Sequence, residues 1–157
     1  MDSITVFLAD YLIFFVLLGA IYSLYKAKKK KQFILVLVFA VVLAWDLTAI
    51  FEALYYHPRP FVSQSIEPLV ASGTDSGFPS QHTAIAMAIT SVIFFYDRRI
   101  ATFALALTFL VGAGRVWAHV HSWTDILGGL MVGILTGFAA YKLVRLLLKI
   151  VRKSAAV

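Results

Sequence analysis

Of the chain's 157 residues, 61% are hydrophobic and 14% charged, and the mean hydropathy is +0.88. That leaves too few polar residues to cover a water-soluble globule of this length, so the expected solvent is lipid. The absence of cysteine excludes disulfides and thiolate metal sites, and the confinement of most of the +6 net charge to a few short segments argues against nucleic acid as a partner.

A hydrocarbon core about 30 Å thick is crossed by roughly 20 apolar residues in helical form. Lipid leaves free backbone groups unsatisfied, which favours helices, and the roughly ten-residue alternating segments of a barrel do not occur. The sequence therefore predicts an all-α, polytopic transmembrane bundle of about five spans in a single domain over residues 1–157. The spans fall at about 4–25, 33–56, 80–96, 100–117 and 124–148. The start, Met1-Asp2-Ser3, lacks the basic region of a signal peptide, so the first stretch is expected to be a retained span. The third and fourth stretches are short for spans and require tilt or shielding by neighbours.

Residues 57–79 form the one long connection, which contains Pro58, Pro60, Pro68, Gly73 and Gly77. A short interfacial helix is expected over 65–71, and loops of this length often serve as lids or binding elements. Residues 118–123 form a second, short loop. In the last span Gly129, Gly133 and Gly137 recur every four residues, a pattern for close helix packing. It reads as internal packing rather than a dimer seam, and a homodimer, while possible, is not established by it.

Twelve of the fourteen Lys and Arg residues lie on one side of such a bundle. Lys26, Lys28, Lys29, Lys30 and Lys31 follow the first span, and Arg98 and Arg99 follow the third. Lys142, Arg145, Lys149, Arg152 and Lys153 close the chain. The positive-inside rule makes that side cytoplasmic, with the N-terminus outside and the C-terminus inside a plasma membrane. The basic runs then set topology and meet anionic head groups. Arg59 and Arg115 break the pattern at the outer ends of spans, together with all four histidines, His57, His82, His119 and His121. Ionisable groups so placed point to function.

Three clusters meet on that outer face: His57-Pro58-Arg59-Pro60, then Pro79-Ser80-Gln81-His82, then Arg115, His121 and Asp125. Two arginines from different helices hold a tetrahedral oxyanion by bidentate hydrogen bonds. Ser80 stands where a helix begins, and it and the amides of Gln81 and His82 suit phosphate. His121 and Asp125 are four residues apart and share a face if the last helix starts early. The carboxylate then fixes one ring nitrogen and frees the other to attack. His82 is the candidate acid for the leaving oxygen. His57 and His119 read more readily as interfacial polar residues. A His119/His121 metal pair is the weaker alternative, since only Glu67 and Asp75 in the long loop would support it.

With these motifs the chain resembles the type 2 phosphatidic acid phosphatase superfamily of membrane lipid phosphatases. The family signature is Lys-x6-Arg-Pro, Pro-Ser-Gly-His and Ser-Arg-x5-His-x3-Asp. The chain has Arg59-Pro60, then Pro79-Ser80-Gln81-His82, then Gly114-Arg115, His121 and Asp125 at the family spacing, over roughly residues 45–140. The resemblance implies that His121 is a nucleophile passing through a phosphohistidine, oriented by Asp125, with His82 as acid. It implies phosphate binding by Arg59, Arg115, Ser80 and Gln81, with no metal or other cofactor. Expected substrates are lipids bearing a phosphate or diphosphate: undecaprenyl diphosphate, phosphatidylglycerophosphate or phosphatidate. The chain departs from the signature at Gln81, at Gly114 and, most sharply, at Glu52 in the lysine position. Glu52 shares a face with Arg59, nearly two turns away, where it would repel phosphate, pair with the arginine or receive a polar head group. A non-catalytic lipid-phosphate binder or transport protein is the alternative. A channel would need polar residues at mid-span, where Asp46 stands alone.

Overall fold

The computed structural model describes residues 2–154, and Met1, on which part of the signal-peptide reading rests, lies outside them. Among the described residues all regular structure is helical: α1 (Asp2–Val6), a π-helical stretch (Phe7–Tyr11), α2 (Ile13–Lys26), α3 (Lys30–Leu54), α4 (Pro60–Gln64), α5 (Gln81–Phe94), α6 (Arg98–Trp117) and α7 (Trp123–Ser154).

Three helices, α3, α6 and α7, are long and apolar enough to cross a bilayer, and the first stretch makes a fourth if its bent halves count as one. That stretch is a broken helix: Asp2–Tyr11 and Ile13–Lys26 meet at 40° at Leu12, where the π-helical segment ends. Single π turns inside helices are a recognised cause of such bends. The third expected span is shorter than predicted. Helix α5 has 14 residues, about 21 Å at 1.5 Å per residue, which is less than a hydrocarbon core. Its environment accounts for this, because Thr83, Ala84 and every residue from 86 to 93 are buried. Helices α2, α3, α6 and α7 surround it, so it meets protein rather than lipid.

Small residues line the centre and large apolar ones face outward. Ala40, Ala44, Ala84, Ala88 and Ala140 are fully buried, with Phe33, Val36 and Val92, whereas Phe14, Leu18, Leu127 and Leu147 are more than half exposed. In water such a surface would be an aggregation liability; a bilayer accommodates it. The glycine stripe faces α5, as internal packing requires. A Cβ would lie 2.6 Å from the Ser80 carbonyl oxygen at Gly129, 2.5 Å from the Ala84 carbonyl oxygen at Gly133 and 2.4 Å from Ser91 Cβ at Gly137.

The short helix of the long loop lies earlier than expected. Pro60 starts it after an extended Arg59, and Ser65, in the left-handed conformation, ends it. Residues 65–71 are irregular, as Pro68 inside that stretch dictates, since it lacks an N–H and clashes with a preceding turn. The loop is tied down across the molecule: Phe61 N–H donates to the His119 carbonyl (3.0 Å) and Leu69 N–H to the Ala118 carbonyl (3.1 Å). Ala9, Val70, Ala118 and Val120 form a small apolar cluster beneath it.

Candidate active site

The site forms where the end of α3, the long loop, the start of α5 and the α6–α7 turn converge. Ser76 stitches the loop together. Its buried hydroxyl donates to the Tyr55 carbonyl (2.8 Å) and accepts from the amides of His57 (3.1 Å) and Phe78 (3.3 Å). Gly77 N–H donates to the His57 carbonyl at 2.8 Å. The absence of a side chain at Gly77 lets Arg59 and Asp125 close around it: a Cβ would sit 3.2 Å from Arg59 Cγ and 3.3 Å from Asp125 Oδ2.

His121 is 3% exposed, and its Nδ1 lies 2.9 Å from the Gly77 carbonyl oxygen. A carbonyl only accepts, so that contact puts the proton on Nδ1 and leaves a lone pair on Nε2. Nε2 in turn lies 3.4 Å from Arg59 Nη1. Burial pushes the His121 pKa below the ordinary imidazole value; the Arg115 and Arg59 charges add to this and Asp125 opposes it. The neutral ring is therefore favoured. The expected hydrogen bond from the His121 ring to the Asp125 carboxylate is longer than hydrogen-bond distance. Asp125 Oδ2 is 3.6 Å from His121 Nδ1 and instead accepts from the Ser122 amide at 2.7 Å. The main-chain carbonyl of Gly77 occupies the orienting position, and the fully buried carboxylate supports it electrostatically from behind. Asp125 Oδ1 lies 3.0 Å from His57 Nδ1, off the line of a hydrogen bond.

Both arginines are buried, and each is held on one edge by a carboxylate. Arg59 Nε and Nη2 donate to Asp75 Oδ1 at 3.2 and 3.0 Å, which leaves Nη1 toward His121 and the Val120 carbonyl. Arg115 Nη1 donates to Asp10 Oδ1 at 2.7 Å, and its buried Nε has no partner among the described residues. An unpaired buried guanidinium N–H is costly unless a ligand meets it. Gly114 makes the Asp10 contact possible. A Cβ there would lie 2.7 Å from Ala9 N and Leu8 C, so the glycine in the family's serine position admits the π-helical segment that carries Asp10.

Ser80 occupies the N-cap position of α5 but does not cap it with its side chain. Its hydroxyl accepts from Thr83 Oγ1 (3.1 Å) and its amide donates to the Asp125 carbonyl (3.0 Å). The Ser80 amide is therefore already used, and among the described residues the amides of Gln81, His82 and Thr83 at the helix start have no hydrogen-bond partner. His82 is partly buried and within electrostatic reach of Arg115, His121 and Arg59. Glu52 is partly exposed and feels both Asp75 and Arg59, yet the carboxylate that pairs with Arg59 is that of Asp75. His119 is not brought in. It takes a left-handed conformation (φ 65°) and lines a separate cavity with Leu8 and Trp117.

Sequence reasoning missed Asp10, Ser76 and Gly77, gave His57 only a minor place and considered Asp75 only as a metal ligand. Asp10 had a usable signal: it is the single charged side chain inside the first apolar stretch. Ser76 and Gly77 had none, since their roles come from main-chain hydrogen bonds across the loop. A lone-pair nitrogen beside a guanidinium, with unpaired amides at a helix start, is what nucleophilic attack on a tetrahedral phosphorus requires.

The chain is 31% identical to undecaprenyl-diphosphatase BcrC of Bacillus subtilis (strain 168), over 90% of this chain and 74% of that protein. It is 29% identical to the bacitracin transport permease protein BcrC of Bacillus licheniformis, over 90% of this chain and 70% of that one. The crystal structure of Aquifex aeolicus LpxE superposes with a TM-score of 0.75 at 25% identity, covering 90% of this chain and 85% of that one. The model of the PAP2 superfamily matches residues 32–149, a stretch that runs from α3 to the last turns of α7 and holds every motif residue of the site. The chain belongs to the PAP2 superfamily, the type 2 phosphatidic acid phosphatases that its three motifs resemble.

Proposed function

We propose that this protein is a membrane phosphatase that hydrolyses a phosphate or diphosphate group from a lipid through a phosphohistidine on His121. The observation that carries the proposal is the Nδ1 contact to the Gly77 carbonyl, which leaves Nε2 unprotonated beside Arg59. Nε2 attacks phosphorus as the bond to the leaving oxygen breaks, and His82 gives that oxygen a proton. Water then attacks the phosphohistidine, His82 takes its proton, and inorganic phosphate leaves. Arg59, Arg115 and the Gln81 and His82 amides hold the phosphoryl oxygens. Asp75 and Asp10 keep the guanidinium groups aimed, and Asp10 does so from outside the stretch that defines the family. No step in this scheme requires a metal.

The substrate class is a lipid whose tail stays in the bilayer: undecaprenyl diphosphate, phosphatidylglycerophosphate or phosphatidate. The name of the B. subtilis relative favours the first. The same proposal includes five membrane-embedded helical stretches, the N-terminus outside, the C-terminus in the cytoplasm and the site on the outer face of the plasma membrane. The test is phosphate release by purified protein from a panel of these lipids, with His121→Ala alongside. Release that survives His121→Ala rejects the mechanism, and loss on chelation alone restores a metal reading.

The second reading is a lipid-phosphate binder or transport protein of the same fold. Glu52 in the lysine position and the name of the B. licheniformis relative favour it. It predicts lipid-phosphate binding without turnover, and Glu52→Lys would then leave turnover absent.

A further inference from the structure

Helix α3 runs toward the catalytic residues and α7 runs away from them, so the start of α3 and the end of α7 meet at the opposite end of the bundle. That end carries twelve Lys and Arg residues and one acid, Asp97, which already lies 3.7 Å from Lys26. Between α3 and α7 there is a cavity of about 370 Å³ whose polar lining is Lys29, Gln32, Arg145, Lys149 and Arg152, with no carboxylate. Arg145 is held in place: Nη1 donates to the Tyr141 hydroxyl at 2.9 Å, and the guanidinium lies 5.3 Å from the centre of the same ring. Tyr141 is in turn stacked on Phe95 at 3.8 Å and 2°. Such a pre-oriented arginine is suited to a phosphate oxygen.

The first turn of α3 adds to the excess charge. It has no acid and no side-chain cap, and it carries Lys30 and Lys31 on the positive end of the helix dipole. Apart from Asp97 beside Lys26, no carboxylate among the described residues pairs with this concentration of positive charge.

An apolar groove of about 330 Å³ continues from the cavity through the shared Leu148. Its walls are Leu35, Val38, Phe39 and Val42 of α3, spaced as one helix face, and Val144 and Leu147 of α7. A soluble anion would use the cavity and leave the groove idle. A molecule with an anionic head and an apolar tail uses both.

We propose that this end of the bundle holds one molecule of an anionic diacyl phospholipid. Its head-group phosphate sits among Lys29, Arg145, Lys149 and Arg152, and one acyl chain lies along the α3–α7 groove. The site is separate from the catalytic residues and does not depend on the phosphatase reading. Its effect is to pin the start of α3 to the end of α7, the two basic termini that otherwise repel each other.

The test is native mass spectrometry of detergent-purified protein titrated with phosphatidylglycerol or phosphatidylcholine. One phosphatidylglycerol is expected to remain bound at least tenfold more tightly than phosphatidylcholine. The triple variant R145A/K149A/R152A should lose that preference. Val38→Trp with Leu147→Trp, which fills the groove and keeps every cation, should weaken retention by a similar factor. Arg59→Gln at the far site should leave it unchanged, and millimolar inorganic diphosphate should not displace the lipid. Equal retention of the two lipids would overturn the proposal, as would unaltered retention in either pocket variant. Displacement by diphosphate with the groove variant unaffected would identify a soluble-anion site, and loss in Arg59→Gln would put the lipid at the catalytic end. Either result rejects the proposal.

Discussion

A histidine whose Nδ1 donates to a main-chain carbonyl keeps its tautomer whatever happens to nearby side chains. The Gly77 carbonyl accepts in this way from His121, so in the proposed mechanism Asp125 contributes the negative charge 3.6 Å away. Asp125→Asn is therefore expected to lower kcat by about 10²-fold, within the usual range for acid–base and orienting groups, while His121→Ala abolishes turnover. Equal losses in steady-state kinetics would contradict that division of labour. In the proposed mechanism His121 attacks only when neutral, and its pKa is lowered from the ordinary 6.5. Activity is thus expected to be retained as pH falls through that value and lost only below it. A kcat/KM profile with its acid limb above 6.5 would contradict the burial of His121. His82→Ala should cost about 10²–10⁴-fold on lipid substrates and far less on an aryl phosphate, whose leaving group needs no proton. Asp10→Asn is expected to raise KM about tenfold, ~1.4 kcal/mol of lost phosphate binding, with kcat less affected. A change in kcat alone would remove Asp10 from the phosphate-holding group.

At the scale of elements, the tolerance of each glycine separates packing from propensity. Gly133→Ala places a methyl group 2.5 Å from both the Ala84 carbonyl oxygen and Met87 Cβ, so a loss of about 1–3 kcal/mol is expected. Gly19→Ala, with its nearest neighbour at 3.4 Å, should be neutral or stabilising by about 0.5–1 kcal/mol. Thermal unfolding in detergent distinguishes the two, and equal shifts would mean that the α5–α7 contact is looser than the distances indicate. The stripe itself was legible in the sequence because its four-residue period is a property of one helix. The bend at Phe7–Tyr11 was not, because it depends on Gly114 letting a distant backbone approach. The shortness of α5 was hidden too: hydropathy reports apolar length and not whether neighbours or lipid surround it. The loop helix was misplaced because proline was read as loop composition rather than as a helix start at Pro60 and a stop at Pro68.

For the whole molecule, the motif residues Arg59, His82, Arg115, His121 and Asp125 were legible in the sequence because the chain order of the three motifs survives folding. The groups that aim them, Asp10, Asp75, Ser76 and Gly77, come from segments brought in by tertiary structure and follow no local spacing. The charge asymmetry predicts that a cysteine at Asp75 reacts with an impermeant reagent on intact cells and that one at Lys29 does not, and the reverse labelling would invert the molecule. The account rests most heavily on His121 as the nucleophile. The direct measurement is to mix the protein with a lipid bearing a radiolabelled terminal phosphate, quench rapidly and map the label. The account predicts label on His121, acid-labile and base-stable, absent from His121→Ala and accumulating when water attack is slowed in His82→Ala given a good leaving group. Turnover with no labelled protein at any quench time, or label on another residue, would contradict it.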